Sequence, residues 1–162
     1  MFDWLANPNR FKKITNKLEP SLLVISLLFI IFGLYFSLFD SPKDYQQGDA
    51  VRIMYVHVPS AWLASFLYLS LAVSSIFYLV WKHPLADLIS SSIAPIGALF
   101  SILTLITGSL WGKPMWGTWW VWDARLTSVA ILFIIYLIII FMNYSFENRI
   151  VREKVVAIFI LV

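Results

Sequence analysis

The sequence has no cysteine and only two histidines, and charged residues make up just 13% of its 162 residues. The absence of cysteine excludes disulfide bonds, thiolate metal sites and the C-x-x-C-H attachment motif of c-type cytochromes. With 60% hydrophobic residues, the chain has too little polar surface to cover a water-soluble globule. It is therefore predicted to lie in a lipid bilayer.

Four apolar segments are long enough to cross the hydrocarbon core of a membrane, which takes about 20 helical residues. None of them contains Asp, Glu, Lys, Arg or His, and they cover residues 22–39, 61–81, 88–110 and 126–142. A fifth apolar run, 155–162, would reach only about 12 Å as a helix. We predict an all-α, polytopic transmembrane bundle with four complete spans and the start of a fifth. Residues 1–162 form one membrane domain, and the short fifth run predicts that the sequence is part of a longer chain.

The basic residues outside the spans are unevenly divided between the two sides of the membrane. Eight of the 12 Lys and Arg residues lie before the first span, between the second and third, or after the fourth. Because cytoplasmic loops are enriched in Lys and Arg, the N-terminus is predicted to be cytoplasmic, and segments 40–60 and 111–125 to face outward. This scatter forms no basic patch of the kind that binds nucleic acid.

Tryptophan is concentrated in one of the two outward segments. Five of the eight tryptophans lie between Trp111 and Trp122. Tryptophan commonly anchors helices at the membrane–water interface, and Trp62 and Trp81 fit that interpretation. The cluster, however, is contiguous and interleaved with glycine and proline, which an interfacial belt does not require.

A helical conformation of residues 116–125 would gather part of this cluster on one face. The 100° step of a helix would align Trp116, Trp119, Trp120 and Asp123, with Arg125 opposite. Such an aromatic surface suits a large planar or apolar ligand. A porphyrin, a quinone or a lipid tail all meet that description.

The two histidines lie at opposite ends of the second span. The 26 residues that separate them correspond to about 39 Å of helix, so they cannot both ligate one metal ion. His57 is on the same side as the tryptophan cluster, and a neutral imidazole is a good axial ligand for haem iron. His83 is assigned an ordinary interfacial role. Pro59 is expected at the first position of the helix, which would place His57 just outside it.

Two segments of the chain are distinctive enough to compare with known families. The sequence W-G-K-P-M-W-G-T-W-W-V-W-D-A-R-L-T-S, residues 111–128, resembles the signature loop of the CcmC family, haem-handling proteins of cytochrome c maturation. The sequence M-Y-V-H-V-P-S-A-W-L, residues 54–63, resembles the stretch whose histidine is an axial haem ligand in the family. The related CcmF and CcsA proteins tend to have W-D-P where this chain has W-D-A. The resemblance implies a b-type haem with His57 as an axial ligand of the iron.

The resemblance also implies that the tryptophan loop holds the haem. The implied binding residues, besides His57, are Trp111, Trp116, Trp119, Trp120, Trp122, Asp123 and Arg125. The family has six spans, so the resemblance implies that this sequence is a fragment. The second axial histidine of the family follows the fifth span and is not in this sequence, and Met115 is a conceivable substitute. Lys113 or Arg125 would either pair with a haem propionate or anchor at the interface. Asp123 would either orient an indole N–H or pair with Arg125.

The implied function is to bind haem at the outer face of a bacterial or organellar inner membrane and to present it to the haem chaperone CcmE. The CcmA/CcmB transporter and CcmD are the other implied partners. One alternative is a permease subunit that moves haem or another apolar solute, although spans without ionisable residues disfavour ion-coupled transport. Another is a structural subunit that docks a partner. Enzyme activity has little support, because no catalytic triad, phosphate loop or carboxylate pair is present.

Overall fold

The computed structural model describes residues 7–83 and 85–162, and its regular secondary structure within them is helical apart from one isolated bridge. The five α-helices are α1 (Pro8–Tyr35), α2 (Met54–Trp81), α3 (Ala86–Trp116), α4 (Ala124–Ser145) and α5 (Arg149–Leu161). A π-helical turn, Phe36–Asp40, continues α1, and a 3₁₀ turn, Asp49–Ile53, leads into α2. The first four helices are long and apolar enough to cross a membrane. The prediction of an all-α polytopic membrane protein is confirmed.

Two predicted helix boundaries are wrong. Pro59 does not begin α2 but lies inside it, because the 3₁₀ turn before Met54 starts the helix earlier. Only one backbone hydrogen bond is lost at this proline. His57 therefore belongs to the first turn of α2. At the other boundary, α3 continues to Trp116, so the first six residues of the predicted outer loop are helical.

Polar side chains mark where three of the helices begin. Asn7, Asp123 and Asn148 are the N-cap residues of α1, α4 and α5, and each accepts backbone N–H groups of the first turn. These bonds satisfy donors that have no partner within the helix. At the end of α3, Gly117 adopts a φ of 74°, a left-handed conformation that suits glycine. Gly117 and Asp123 thus limit the connection between α3 and α4 to seven residues.

The helices α2 to α5 form the packed part of the bundle. Helix α3 packs against both α2 and α4, and α5 packs against α2 and α4. Tyr136 is fully buried at the centre, and its hydroxyl donates a hydrogen bond of 2.8 Å to the carbonyl of Ala64. A Cβ atom on Gly97 would overlap the ring of Tyr136. This close approach of small and aromatic residues replaces the hydrophobic driving force that is absent between helices in lipid.

Helix α1 stands largely apart from the others. None of its residues with a described side chain is buried, and its exposed apolar residues suit contact with lipid. Its end is tied to the start of α2 by Arg52, which donates hydrogen bonds to the carbonyls of Leu38, at 2.8 Å, and Ser41, at 2.9 Å. The segments 41–53 and 117–123 lie at the same end of the bundle, which we call the loop end.

Candidate functional site

A cavity of about 520 Å³ lies at the loop end, between α2, α3 and α4. Its wall is mainly apolar, and its few polar groups come from different parts of the chain. The lining residues that bear on function include His57, Thr104, Trp111, Met115, Trp116 and Arg125. A concave, mostly apolar cavity with a few convergent polar groups is typical of a site for an organic ligand or cofactor.

His57 reaches the cavity from the first turn of α2 and packs against α3. Its Nδ1 atom is 3.0 Å from the hydroxyl oxygen of Thr107. The approach is possible because Gly108 has no side chain. A Cβ atom there would lie 3.1 Å from Cε1 of His57, closer than an unstrained contact. One edge of the imidazole is therefore fixed by α3.

Trp111 forms the wall beside His57. The two rings meet edge to face, with centroids 5.7 Å apart and an interplanar angle of 72°. The indole N–H donates a hydrogen bond of 2.8 Å to the side-chain carbonyl of Gln47, which also lines the cavity. Gln47 thus joins the 41–53 segment to the end of α3 and fixes the Trp111 ring. No sequence pattern identifies Gln47, because a single glutamine in a loop is ordinary.

The helix considered for residues 116–125 does not exist. Helix α3 ends at Trp116, residues 117–123 are not helical, and α4 begins at Ala124. The interpretation of Trp116, Trp119, Trp120 and Asp123 as one helical face is therefore wrong. The physical reason is the left-handed Gly117, which ends one helix, together with the extended Asp123, whose side chain begins the next.

The five clustered tryptophans separate into two groups. Trp111 and Trp116 line the cavity, whereas Trp119, Trp120 and Trp122 are not among its lining residues. In the second group, Trp122 is 82% exposed and Trp119 is 55% exposed. Trp120 is more buried and meets Trp122 edge to face, with ring centroids 5.4 Å apart. The cluster thus provides both a cavity wall and an exposed aromatic surface.

Asp123 and Arg125 form an ion pair at the edge of the cavity. The carboxylate is 2.7 Å from the Nη2 atom of Arg125, whose guanidinium also lies 5.3 Å from the centre of the Trp116 ring. A hydrogen bond of 2.9 Å from the backbone N–H of Leu126 reaches the other carboxylate oxygen. This N–H, followed by the Arg125 side chain, lowers the pKa of Asp123 below its usual value. Of the two roles considered for Asp123, the structure has the pairing with Arg125.

The remaining candidate residues differ in whether they line the cavity. Met115 lines it, whereas Lys113 does not, and the Lys113 ammonium donates to the carbonyl of Gly117 at 2.8 Å. His83 follows α2 at the opposite end of the bundle, where it accepts a hydrogen bond from the backbone N–H of Leu85. As predicted, the two histidines do not share a site.

The donor atoms of the cavity fit a metal that is already held by an organic ring. The described residues contain no group of three or more His, Cys, Asp or Glu side chains able to hold a bare metal ion. The cavity instead offers one imidazole, one thioether and aromatic walls. Haem needs only axial ligands from a protein, since the porphyrin supplies the other four, so these residues fit haem.

Replacing Asp123 with alanine is expected to weaken the start of α4. The cap contributes about 1 kcal/mol, so the amide of Leu126 should exchange its hydrogen about fivefold faster. Asp123→Asn keeps a capping oxygen while it removes the charge, and its exchange should stay near that of the wild type. Hydrogen exchange measured by mass spectrometry on peptides covering residues 124–127 tests this. Equal exchange in Asp123→Ala and the wild type would contradict the capping role.

Comparison with known proteins places the chain in a family. A family model described as "CcmC: Heme exporter protein C" matches residues 1–162. A "Heme exporter protein C" from Bradyrhizobium diazoefficiens is 53% identical over 133 residues, which is 82% of this chain and 50% of that protein. The protein of the same name from Haemophilus influenzae is 45% identical over 161 residues, 98% of this chain and 65% of the relative.

A plant relative extends the comparison. The "Putative cytochrome c biosynthesis ccmC-like mitochondrial protein" of Marchantia polymorpha is 58% identical over 105 residues, 65% of this chain and 46% of the relative. The chain therefore spans about half to two thirds of the length of these relatives. Since the family model matches every residue, the chain belongs to the CcmC, heme exporter protein C, family.

Proposed function

We propose that the chain binds haem b in the cavity at the loop end and presents it to a haem chaperone for assembly of c-type cytochromes. One observation carries the proposal. An imidazole, two indoles and a guanidinium from different helices line a single cavity; they belong to His57, Trp111, Trp116 and Arg125. The names of the relatives, heme exporter protein C and ccmC-like cytochrome c biosynthesis protein, support the same function.

Each lining residue has a separate task in this proposal. Bound haem supplies the iron and a flat apolar ring. His57 would provide a nitrogen ligand for the iron, and the indoles of Trp111 and Trp116 would provide apolar surface for the ring. Arg125, at the edge of the cavity, would provide a positive charge for a propionate. To bind it, Arg125 would give up part of its pairing with Asp123. Met115 is the one lining residue with a thioether that could approach the iron.

The exposed group of tryptophans is assigned to presentation. Trp119 and Trp122 lie on the loop next to the cavity and are largely exposed, so a partner can contact them without displacing the cavity wall. Exposed aromatic residues of this kind are frequent anchors of protein interfaces. We propose the chaperone CcmE as the acceptor at this surface, with CcmA/CcmB and CcmD as further partners.

The distribution of basic residues orients this site in the membrane. With a cytoplasmic N-terminus, the loop end faces the opposite side, which is the periplasm for a bacterial inner membrane. The permease alternative has less support. The interior of the bundle beyond the cavity is filled by Leu71, Tyr136 and Ile139, each exposed by less than 2%. This packing favours display of haem at one face over passage through the bundle.

The proposal predicts different effects for the two tryptophan groups. Replacing Trp116 with alanine removes cavity wall and should lower retained haem about threefold to tenfold, the range expected from losing an aromatic contact. Trp122→Ala is the matched control, since Trp122 is exposed and outside the cavity. It should keep its haem. The measurement is Soret absorbance per protein after purification from haem-replete cells.

Transfer of haem should show the reverse order of effects. Trp122→Ala is expected to slow loading of the chaperone although its own haem content is normal. If Trp116→Ala and Trp122→Ala reduce bound haem equally, the assignment of the cavity wall is wrong. If the wild type and both variants carry no Soret band at all, haem binding itself is contradicted.

A further inference from the structure

We propose that Thr107 is a positioning residue that keeps the proton of the His57 ring on Nδ1 and so leaves Nε2 free to ligate the iron. The inference rests on the proposed function, since it concerns the same cavity. It explains how a histidine within a transmembrane helix is prepared as a ligand. The sequence gives no indication of this role, because a threonine inside an apolar span is ordinary.

The hydroxyl group of Thr107 can only accept a hydrogen bond from His57. Its oxygen lies 2.7 Å from the carbonyl of Leu103 and 3.2 Å from that of Thr104, and both carbonyls are acceptors. A hydroxyl has one proton, which goes to these carbonyls, as is usual for a threonine inside a helix. We therefore assign the donor role to the third neighbour, Nδ1 of His57, at 3.0 Å.

A neutral imidazole carries one proton, so the donor role of Nδ1 leaves Nε2 with a lone pair. The contact with Thr107 is made by Nδ1, and His57 is a lining residue of the cavity. Turning the ring over would place a carbon atom against the Thr107 oxygen and lose the bond. Thr107 and the close contact at Gly108 thus select both the tautomer and the orientation that metal ligation requires.

The chemistry of the acceptor also sets how strongly His57 binds. Metal-binding histidines often donate to a carboxylate, which raises the basicity of the ligating nitrogen. The nearest carboxylate along the cavity wall, Asp123, is instead paired with Arg125. A neutral hydroxyl is a weaker acceptor than a carboxylate, so His57 remains a weaker iron donor. A ligand of moderate strength suits a protein that must release its haem to an acceptor.

The tautomer can be measured without haem. In the full chain labelled with ¹⁵N-histidine, His57 should show a protonated Nδ1 and an unprotonated Nε2, with His57→Ala identifying its signals. Thr107→Val keeps the shape but removes the acceptor, and should shift His57 to a majority of the Nε2-protonated form. Thr107→Ser should restore the wild-type spectrum. Ser101→Ala is the matched control, because Ser101 is also buried on α3, donates to the carbonyl of Gly97 and is not among the residues that line the cavity.

Haem titration provides the second measurement. Thr107→Val should bind haem about tenfold more weakly, the lower end of the range for residues that support a metal ligand. Its haem should also have a more positive reduction potential, since an imidazole without this bond stabilises ferric iron less. Ser101→Ala and Thr107→Ser should match the wild type in both properties.

The results separate this inference from the proposed function. If His57→Ala binds haem normally, the proposed function fails. If His57→Ala loses haem while Thr107→Val matches the wild type in tautomer, affinity and potential, only the role of Thr107 is overturned. A wild-type His57 protonated on Nε2 overturns it as well. If Thr107→Val loses helical content, the tautomer of Thr107→Ser and of the wild type still decides the question.

Discussion

Replacing His57 with alanine is expected to lower haem affinity about a hundredfold, because it removes the only imidazole that lines the cavity in the described part of the chain. Such a factor corresponds to about 3 kcal/mol, a reasonable value for an axial nitrogen ligand. The apolar walls would remain, so weak residual binding with an altered Soret maximum is expected. Titration of the haem-free protein and the spectrum of the purified protein both measure the loss.

His83→Ala is the matched control for this substitution. It removes the other histidine of the chain, which lies at the opposite end of α2 and bonds only the turn that follows. Its haem affinity should equal that of the wild type. Helical content measured by circular dichroism should be the same in both variants. Normal haem binding in His57→Ala, or an equal loss in His83→Ala, would contradict the assignment.

Most of the fold is predictable because a membrane leaves the chain few choices. Backbone groups cannot remain unpaired in lipid, so an apolar run of sufficient length must be helical. The four predicted spans all lie within helices of the structure. The ends of helices are less determined, because near the interface water can satisfy backbone groups. For this reason the sequence alone does not predict that α2 begins before Pro59 or that α3 extends to Trp116.

The conformation of the tryptophan loop is indicated by the residues at its two ends. The sequence G-T-W-W-V-W-D has a glycine able to end one helix and an aspartate able to cap the next. These two residues indicate that residues 117–123 form a connection and not a helix. The spacing of the aromatic residues is compatible with one helical face, but the backbone preferences of Gly117 and Asp123 determine the conformation. Composition indicated a ligand site, but it could not indicate which indoles face it.

The side of α3 that faces His57 has a signal in the sequence, which is the spacing of its polar and aromatic residues. Thr104, Thr107, Gly108, Trp111 and Met115 follow one another at steps of three, one, three and four residues, which places them on one face of a helix. These residues therefore form a polar and aromatic stripe along an otherwise apolar span. The contact of Gln47 with Trp111 has no such signal, since it joins residues 64 positions apart. Long-range contacts of that kind require the structure.

Replacing Gly108 with valine is expected to lower haem affinity to about the level of His57→Ala, although it leaves His57 itself unchanged. A Cβ atom at this position would be 3.1 Å from Cε1 of His57 and 3.6 Å from a methyl group of Leu126. The branched side chain extends further and must displace the imidazole, because packed interiors tolerate added volume poorly. His57 would then lose its bond to Thr107 and its direction into the cavity.

The series at Gly108 distinguishes loss of geometry from loss of fold. Gly108→Ala needs a shift of only a few tenths of an ångström, so its haem affinity should fall between those of the wild type and Gly108→Val. Gly33→Val is the matched control, because nothing lies within 4 Å of a Cβ atom at that position of α1. Haem titration and circular dichroism on all three variants are the measurements. Because valine and alanine both favour a helix over glycine, a loss that grows with side-chain volume at constant helical content comes from the added volume beside His57 and not from unfolding of α3. Wild-type affinity in Gly108→Val would show that the imidazole is not fixed by α3.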